Sequence, residues 1–203
     1  EAALNFPGRS MKFLILDGIS GVPLGREITQ ALQAEACTVN RFDCLEQQVR
    51  RFHGLRSAYA KLVNKQGNQD SFYALPKLSM ARLATLIAQE TPTHILVVGF
   101  IYKFFDPQIL RRLADTCQAQ LLLYDTDSCN LYDKRREFIF FIENELPIYD
   151  RIFSFSQVTT NFFKETRALP AVHLPYGAHP IILPEQQEHT IDALFVGSCD
   201  LRR

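Results

Sequence analysis

The order of apolar and polar residues predicts alternating strands and helices built around residues 93–99. This stretch, Thr-His-Ile-Leu-Val-Val-Gly, is a short apolar run that follows Pro92 and closes with a glycine. A run that is apolar on both faces and rich in β-branched residues is typical of a central parallel strand covered by helices. Residues 12–17 and 120–124 show the same pattern, so the sequence predicts three buried strands.

Helices are predicted between the strands, where apolar residues recur every three or four positions. One helix follows the glycine-containing loop 18–25, and another begins at Asp106-Pro107, an N-cap followed by a first-turn proline. Ser156 is predicted to cap a third helix. Residues 134–143 are interpreted as a helix, although their five consecutive apolar residues also fit a strand. About six alternations of strand and helix favour an α/β fold, a Rossmann-like doubly wound parallel sheet. The remaining strands are predicted at 38–42, 151–155 and 171–174.

Residues 45–89 are predicted to form a helical insertion between the second strand and the central strand. Apolar residues spaced by three and four positions from Leu45 to Leu62 indicate one helix, which ends in the polar stretch 64–71. A second helix is predicted to open near Pro76, because proline suits the first helical position. Its predicted buried residues are Met80, Leu83, Ala84 and Ile87.

Composition and charge exclude several classes of protein. The chain is 47% hydrophobic and 22% charged, which is ordinary for a globular protein with a real core. Its 22 basic and 22 acidic residues give a formal net charge of zero, so the totals favour neither a nucleic-acid partner nor a membrane surface. No apolar run approaches the roughly 20 residues that would cross a bilayer.

The cysteines indicate a reducing compartment. There are five of them, an odd number, and no Cys-x-x-Cys pair occurs. The sequence therefore predicts neither a disulfide framework nor a zinc site, and a cytoplasmic location is expected. No cofactor is predicted.

The two ends of the chain differ from its middle. Residues 1–10 precede Met11, interpreted as the initiator, and are regarded as an expression remnant, so the predicted domain spans 11–184. Residues 185–203 are predicted to form a linker and then an apolar strand at 191–196 that opens into a glycine turn. We interpret this strand as the start of a second α/β domain, so the chain is expected to be a fragment. Its unpaired edge suggests a homodimer formed through the same strand.

Four short motifs carry a resemblance to a known family. They are Tyr-Asp-Thr-Asp at 124–127, Tyr-Asp-Arg-Ile-Phe-Ser at 149–154, Leu-Pro-Tyr-Gly-Ala-His-Pro at 174–180 and Asp-Ala-Leu-Phe-Val-Gly-Ser at 192–198, the last followed by Arg202 and Arg203. In this order and spacing, residues 94–203 resemble the spore-maturation CgeB-like glycosyltransferases of the GT-B type. The resemblance implies two Rossmann-like domains that face a cleft, with the acceptor on the N-terminal domain and the nucleotide sugar on the C-terminal one.

By this resemblance the chain is the N-terminal half of an enzyme that moves a sugar from a nucleotide-sugar donor to a hydroxyl acceptor. The fragment itself is expected to be inactive. A glycine turn that opens a helix suits a diphosphate, and arginine neutralises its charge. The residues implied to bind the nucleotide sugar are Gly197, Ser198, Arg202 and Arg203, and those of the third motif implied to bind substrate are Tyr176 and Gly177.

The loop after the first strand is a candidate ligand site, because open α/β sheets bind ligands at the carboxyl ends of their strands. Gly18, Ser20 and Gly21 would let backbone amides approach the acceptor at a helix N-terminus. The alternative is a tight turn that only needs a positive φ. The loop does not match Gly-x-Gly-x-x-Gly, so dinucleotide binding is disfavoured.

Candidate chemistry follows the other two buried strands. Asp125 and Asp127 form an Asp-x-Asp pair, but two carboxylates are too few for a metal site, and no metal is predicted. Asp127 is the candidate general base that takes the proton of an acceptor hydroxyl, with Asp125 binding substrate beside it. A loop cap is the alternative role for Asp127. Tyr102 and Lys103 would stack on and hydrogen-bond a sugar, or are ordinary loop residues.

A second function from another class remains open, namely a non-catalytic flavodoxin-like or receiver-like interaction domain. A receiver needs a cluster of acids at the end of its first strand and a lysine after a late strand. Only Asp17 stands at that first position. Binding of nucleotide sugars by a longer chain would separate the two hypotheses.

Overall fold

A computed structural model describes residues 11–65, 75–126 and 136–177. The strands are β1 Lys12–Asp17, β2 Thr38–Asp43, β3 His94–Val98, β4 Gln120–Asp125, β5 Arg151–Ser154 and β6 Ala171–His173. The helices are α1 Leu24–Ala34, α2 His53–Lys65, α3 Met80–Glu90, α4 Pro107–Thr116, α5 Arg136–Phe140 and α6 Gln157–Arg167. The predicted linker and terminal strand at 185–203 lie outside the described residues.

The six strands form one parallel sheet in the order β2-β1-β3-β4-β5-β6. The predicted Rossmann-like α/β fold is therefore confirmed. The chain first winds outwards from β1 to β2, then crosses back over β1 to β3 and continues the other way. The order thus reverses between β1 and β3, and such a switch point opens a crevice at the carboxyl ends of the two strands. Asp17 pairs with Val98, so β1 and β3 end level with each other.

Alternate side chains of the strands enter two separate apolar cores. The larger core packs strand residues such as Leu14 and Ile95 against the apolar sides of α3, α4, α5 and α6. The smaller core lies on the opposite face around Ile15, Leu96 and Val98. Its helical contributions come from one helix, α1, through Leu24, Ile28 and Leu32. Among the described residues, the two faces are therefore covered unequally.

Two helices that pack against the larger core, α4 and α6, begin at the capping residues that the sequence predicts. Asp106 Oδ1 accepts hydrogen bonds from the backbone amides of Gln108 at 2.9 Å and Ile109 at 3.1 Å, and Pro107 takes the first helical position of α4. Ser156 Oγ accepts from the amide of Thr159 at 3.3 Å at the start of α6. Both caps satisfy amides that have no partner inside the helix.

The first helix of the insertion begins later than predicted, at His53 instead of Leu45. The Asp43 side chain accepts a hydrogen bond from the Leu45 amide at 2.9 Å, and the Asp43 backbone carbonyl accepts one from Gln47 Nε2 at 2.8 Å. Phe52 has a φ of +60°, a left-handed conformation that a right-handed helix cannot contain. Residues 45–52 are therefore a loop tied to the end of β2.

The second helix of the insertion also begins later than predicted, at Met80 and not near Pro76. Leu83 and Ile87 are buried as expected, whereas Met80 and Ala84 are half-buried. The segment predicted at 134–143 is helical from residue 136 onwards. There α5 continues into a π-helical turn at Phe141–Glu145 and a 3₁₀ turn at Leu146–Ile148.

The sequence also predicts no membrane-spanning segment. Within the residues that the structure describes, no helix has both the length and the apolar character needed to cross a bilayer.

Gly25 provides a test of how tightly β1 is fitted to α1. A Cβ atom at Gly25, the second residue of α1, would overlap the Asp17 carboxylate. That carboxylate is 5% exposed and is held by Arg41. We expect Gly25→Ala to lower the free energy of unfolding by about 2 kcal/mol, the cost of overpacking a buried site. Urea denaturation measures this change.

Gly54 is a matched control, since it is the second residue of α2 and a Cβ there would meet no atom within 4 Å. Gly54→Ala is expected to leave stability unchanged or to raise it by about 0.5–1 kcal/mol, because alanine restricts the unfolded chain. Equal stabilities for the two variants would show that Asp17 is not packed against Gly25.

Candidate functional site

The predicted crevice lies at the carboxyl ends of the central strands. The Gly18 amide donates to the Val98 carbonyl at 3.0 Å, and the Gly99 amide donates to the Tyr124 carbonyl at 3.3 Å. These two bonds extend the sheet ladder by one residue, so the loops after β1 and β3 leave the sheet side by side. The groups that end the neighbouring strands at this edge are Asp17 of β1, Asp43 of β2, Asp125 of β4 and Ser154 of β5.

A carboxylate of the chain packs against the first turn of α1. Asp17 lies against the first turn of this helix at Gly25, and its Oδ1 accepts from the Ile19 amide at 3.4 Å. Arg41 Nη1 bridges the Asp17 and Asp43 carboxylates at 2.8 and 2.9 Å. Burial acts to lower the pKa of Arg41, but its hydrogen bonds to the two aspartates raise the pKa overall. The acids that end β1 and β2 therefore form an ion-pair cluster with Arg41 beside the first turn of α1.

The loop before α1 combines a packed glycine with an open turn. A Cβ at Gly18 would lie 3.0 Å from Phe104 Cε2 and 3.4 Å from the Phe100 carbonyl oxygen, so Gly18 allows close packing between the two loops. Gly21 has a φ of +83° and no atom within 4 Å of a Cβ built on it. Ser20 and Gly21 are exposed, so their backbone is accessible to a ligand in the crevice.

Asp125 is buried at the end of β4 and is held by the next strand. Its side chain is 2% exposed, and its Oδ2 accepts a hydrogen bond from Ser154 Oγ at 2.9 Å. The pairing of β4 with β5 places these two residues opposite each other. The hydrogen bond from Ser154 on the neighbouring strand therefore sets the orientation of the Asp125 side chain. Thr126, the next residue, begins the loop at the edge of the sheet. Asp127 lies outside the described residues.

Tyr176 forms an aromatic wall next to this edge. Its ring stacks on Phe155 with centroids 4.7 Å apart and an interplanar angle of 19°, and it meets Tyr124 edge-on at 6.1 Å. Its hydroxyl donates to the Thr126 carbonyl at 3.1 Å. Tyr176 nevertheless remains 50% exposed, and Gly177 beside it is also exposed. An anchored aromatic face next to polar strand ends suits a ligand with both apolar and hydroxyl surfaces.

Tyr102 and Lys103 are occupied by contacts within the chain. Tyr102 is 4% exposed, and its ring meets Phe140 edge-on at 5.3 Å. Lys103 Nζ lies 4.7 Å from the ring centroid of Phe100 and 3.7 Å from Glu137 Oε1. The buried ring of Tyr102 belongs to the core, and Lys103, which is half-exposed, is the more accessible of the two.

A buried acid that the sequence reasoning missed fixes the loop after β3. Glu145, in the π-helical turn, accepts at Oε1 from the Ile101 amide at 3.0 Å and the Tyr149 hydroxyl at 2.7 Å, and at Oε2 from the Tyr102 amide at 2.8 Å. Burial raises the pKa of Glu145 to about 7, although these hydrogen bonds and the Lys103 charge act to lower it. The mostly apolar segment 138–148 contains two acids, Glu143 and Glu145, and no local pattern indicates which of them is buried.

A second feature that the sequence reasoning missed is an apolar groove on the α1 face of the sheet. It has a volume of about 790 Å³ and runs along the strands beside α1. Of the helices that the structure describes, α1 alone contributes to the core on this face, since right-handed crossovers place the helices after β3 on the opposite face. Residues along the groove include Phe13, Ile28, Leu122, Phe153 and Tyr176.

The residues implied to bind the nucleotide sugar, Gly197, Ser198, Arg202 and Arg203, lie outside the described part of the chain. Within the described ranges, no group of three or more His, Cys, Asp or Glu side chains is arranged to hold a metal ion. The structure thus brings together Asp125, Ser154 and Tyr176 at one edge of the sheet, with the loop 18–21 at the switch point.

The raised pKa of Glu145 predicts a pH-dependent stability. Its pKa rises from 4.5, the ordinary value, to about 7 on folding, so the folded state binds more protons than the unfolded state between these pH values. The contribution of Glu145 to stability is therefore full below about pH 4.5 and falls by roughly 3 kcal/mol as the pH rises to about 7. Glu145→Gln removes this titration. Plotted against pH, the wild-type minus variant free energy of unfolding should slope downwards in this window, and a flat or rising plot would contradict the assignment.

Comparisons with known proteins identify no relative. Neither the family models, nor the curated proteins, nor the solved structures gave a match to this chain.

Proposed function

We propose that this chain is the acceptor-binding half of a GT-B-type glycosyltransferase, which transfers a sugar from a nucleotide-sugar donor to a hydroxyl group. One observation supports it most directly. Three motifs of the family resemblance, far apart in sequence, meet at one edge of the sheet. Asp125 and Thr126 of the first motif contact Ser154 of the second and Tyr176 of the third, through hydrogen bonds of 2.9 and 3.1 Å.

The roles proposed for these residues follow from their exposure. Tyr176 offers an aromatic face on which the acceptor packs, while Asp125 and Ser154 are buried and set the course of the loop that follows β4. Asp127, two residues beyond Asp125, is the proposed general base. It takes the proton of the acceptor hydroxyl while that oxygen bonds to the anomeric carbon of the donor.

The donor is assigned to a second domain. As the new glycosidic bond forms, the bond from the anomeric carbon to the diphosphate oxygen breaks, and the leaving diphosphate takes the electron pair. Main-chain amides at Gly197 and Ser198 and the charges of Arg202 and Arg203 would stabilise it, without a metal ion.

A non-catalytic interaction domain is the second candidate, and the strand order favours it. The order 2-1-3-4-5 is that of flavodoxin-like domains, here with a sixth strand added. The end of β1 counts against a receiver: Asp17 is 5% exposed and, like Asp43, is bound to Arg41. A phosphate-accepting or cation-binding acid at that position would need to be accessible.

The proposal is tested by nucleoside diphosphate release from a panel of nucleotide sugars, in the presence of hydroxyl acceptors. The full-length natural protein is expected to turn over one of them, and the 203-residue chain to turn over none. Tyr176→Ala should raise the acceptor KM roughly tenfold through the lost aromatic contact. Tyr176→Phe keeps the ring and should stay close to wild type.

Val158→Ala, at a position 76% exposed on α6, controls for the loss of an exposed apolar side chain. If the full-length protein turns over no nucleotide sugar, the transferase proposal fails and the interaction domain is favoured. Turnover by the 203 residues alone would refute the division between two domains.

A further inference from the structure

The helix α2 and the loop before it expose an unusual number of large apolar side chains. An amphipathic helix normally turns its apolar face towards the core. Here, residues spaced by three and four positions turn outwards instead. Their exposed fractions are 49% for Leu45, 50% for Val49, 73% for Phe52, 71% for Leu55, 70% for Tyr59 and 59% for Leu62.

The side of α2 that faces the protein is small and polar. Ala60 is buried, and His53 and Ser57 are half-buried, at the spacing of one helix face. Leu55, Tyr59 and Leu62 lie on the opposite side. The polarity of α2 is therefore inverted relative to a helix that stabilises its own domain. We call Phe52, Leu55, Tyr59 and Leu62 the outer strip.

Basic residues flank the outer strip on both sides. Successive residues of a helix are turned by about 100°, so Arg56 lies to one side of Leu55 and Lys61 to the opposite side of Leu62. Arg50 and Arg51 precede the strip and are exposed. Across residues 45–63, Glu46 is the single acidic residue against these four basic ones. The zero net charge of the whole chain hides this local excess of positive charge.

We propose that the outer strip binds the surface of an anionic lipid bilayer. A helix that carries an apolar strip between basic residues lies in the plane of the interface, with its apolar side chains at the boundary of the acyl chains and its cations at the headgroup phosphates. Exposed Phe, Leu and Tyr side chains supply the apolar area, and the arginines supply the charge complementarity. This inference is independent of the proposed transferase activity.

Charge also distinguishes the bilayer from other partners. In a two-fold symmetric contact between copies of this surface, the arginines of one chain would approach those of the other, and like charges repel. A nucleic acid would accept the arginines but would place its charged backbone against the apolar outer strip. An anionic bilayer satisfies both parts of the surface.

The binding test is co-sedimentation of the 203-residue chain with vesicles. Vesicles of equal parts phosphatidylcholine and phosphatidylglycerol should bind the chain, and vesicles of phosphatidylcholine alone should bind it far more weakly. Leu55→Gln/Leu62→Gln should abolish binding. Arg51→Gln/Arg56→Gln should weaken it about 25-fold, since each basic residue near such a surface contributes about fivefold. Added salt should weaken wild-type binding in the same direction.

Matched controls exist on other faces of the protein. Val158→Gln replaces an equally exposed apolar residue of α6, and Arg26→Gln/Arg112→Gln removes two exposed arginines from α1 and α4. Both controls should bind like wild type. The proposal is refuted if wild type ignores anionic vesicles, if Leu55→Gln/Leu62→Gln binds normally, or if the controls lose as much affinity as the outer-strip variants.

A second measurement reports the position of the helix directly. The chain contains no tryptophan, so Tyr59→Trp introduces a single tryptophan into the outer strip, whose emission can be excited selectively at a wavelength that tyrosine barely absorbs. Its emission should shift to the blue on addition of phosphatidylglycerol vesicles, while that of Val158→Trp should not. If the Tyr59→Trp emission shifts instead with protein concentration alone, and sedimentation equilibrium shows a dimer, the surface is a self-association site and the proposal is overturned.

Discussion

The buried carboxylate of Asp17 determines how the first half of the domain fits together. It lies where β1 ends, α1 begins and β2 runs alongside, and it has contacts with all of these segments. Arg41 of β2 supplies a hydrogen bond and a countercharge at 2.8 Å, the Ile19 amide supplies a second hydrogen bond, and Gly25 leaves the space that the carboxylate fills. A buried charge is tolerated only when it is paired in this way. A ligand that approached the first turn of α1 at Gly25 would therefore meet an ion pair of the protein.

This constraint explains where the accessible polar groups lie. The accessible groups at this edge are the exposed turn at Ser20 and Gly21 and the half-exposed ring of Tyr176, whereas Asp17, Asp125 and Ser154 are buried. Glu145 orders the loop after β3, because its carboxylate accepts hydrogen bonds from the amides of Ile101 and Tyr102. Buried acids, among them Asp125 and Glu145, thus form the floor of the crevice, and the ring of Tyr176 forms an accessible wall. That division suits binding of a neutral, hydroxylated molecule better than binding of a free phosphate.

The sequence was sufficient to predict the sheet, because buried parallel strands are short runs that are apolar on both faces. The apolar runs at β1, β3 and β4 were located to within a residue or two, and Asp106 and Ser156 showed where α4 and α6 begin. The prediction that a helix begins at Leu45 was wrong, because apolar spacing does not reveal the left-handed φ of Phe52 or the hydrogen bond from the Leu45 amide to Asp43. Apolar spacing also carries no information on which way a face points, so it could not show that α2 turns its apolar side outwards. Glu145 and the groove beside α1 depend on tertiary packing that no local pattern records.

The topology relates the crevice to the surface of α2. In a parallel sheet every strand ends at the same edge, so the loops after β1, β3, β4 and β5, which form the crevice, leave on the side where the chain also leaves β2. From there residues 44–52 lead to α2, tied down by the bond from the Arg50 amide to the Lys77 carbonyl at 2.9 Å. Lys77 in turn donates to the Lys103 carbonyl at 3.3 Å, in the loop that Glu145 holds. Two backbone hydrogen bonds, both made by Lys77, therefore join the loop before the outer strip to the loop whose amides Glu145 holds, so the two surfaces rest on the same segment of the chain.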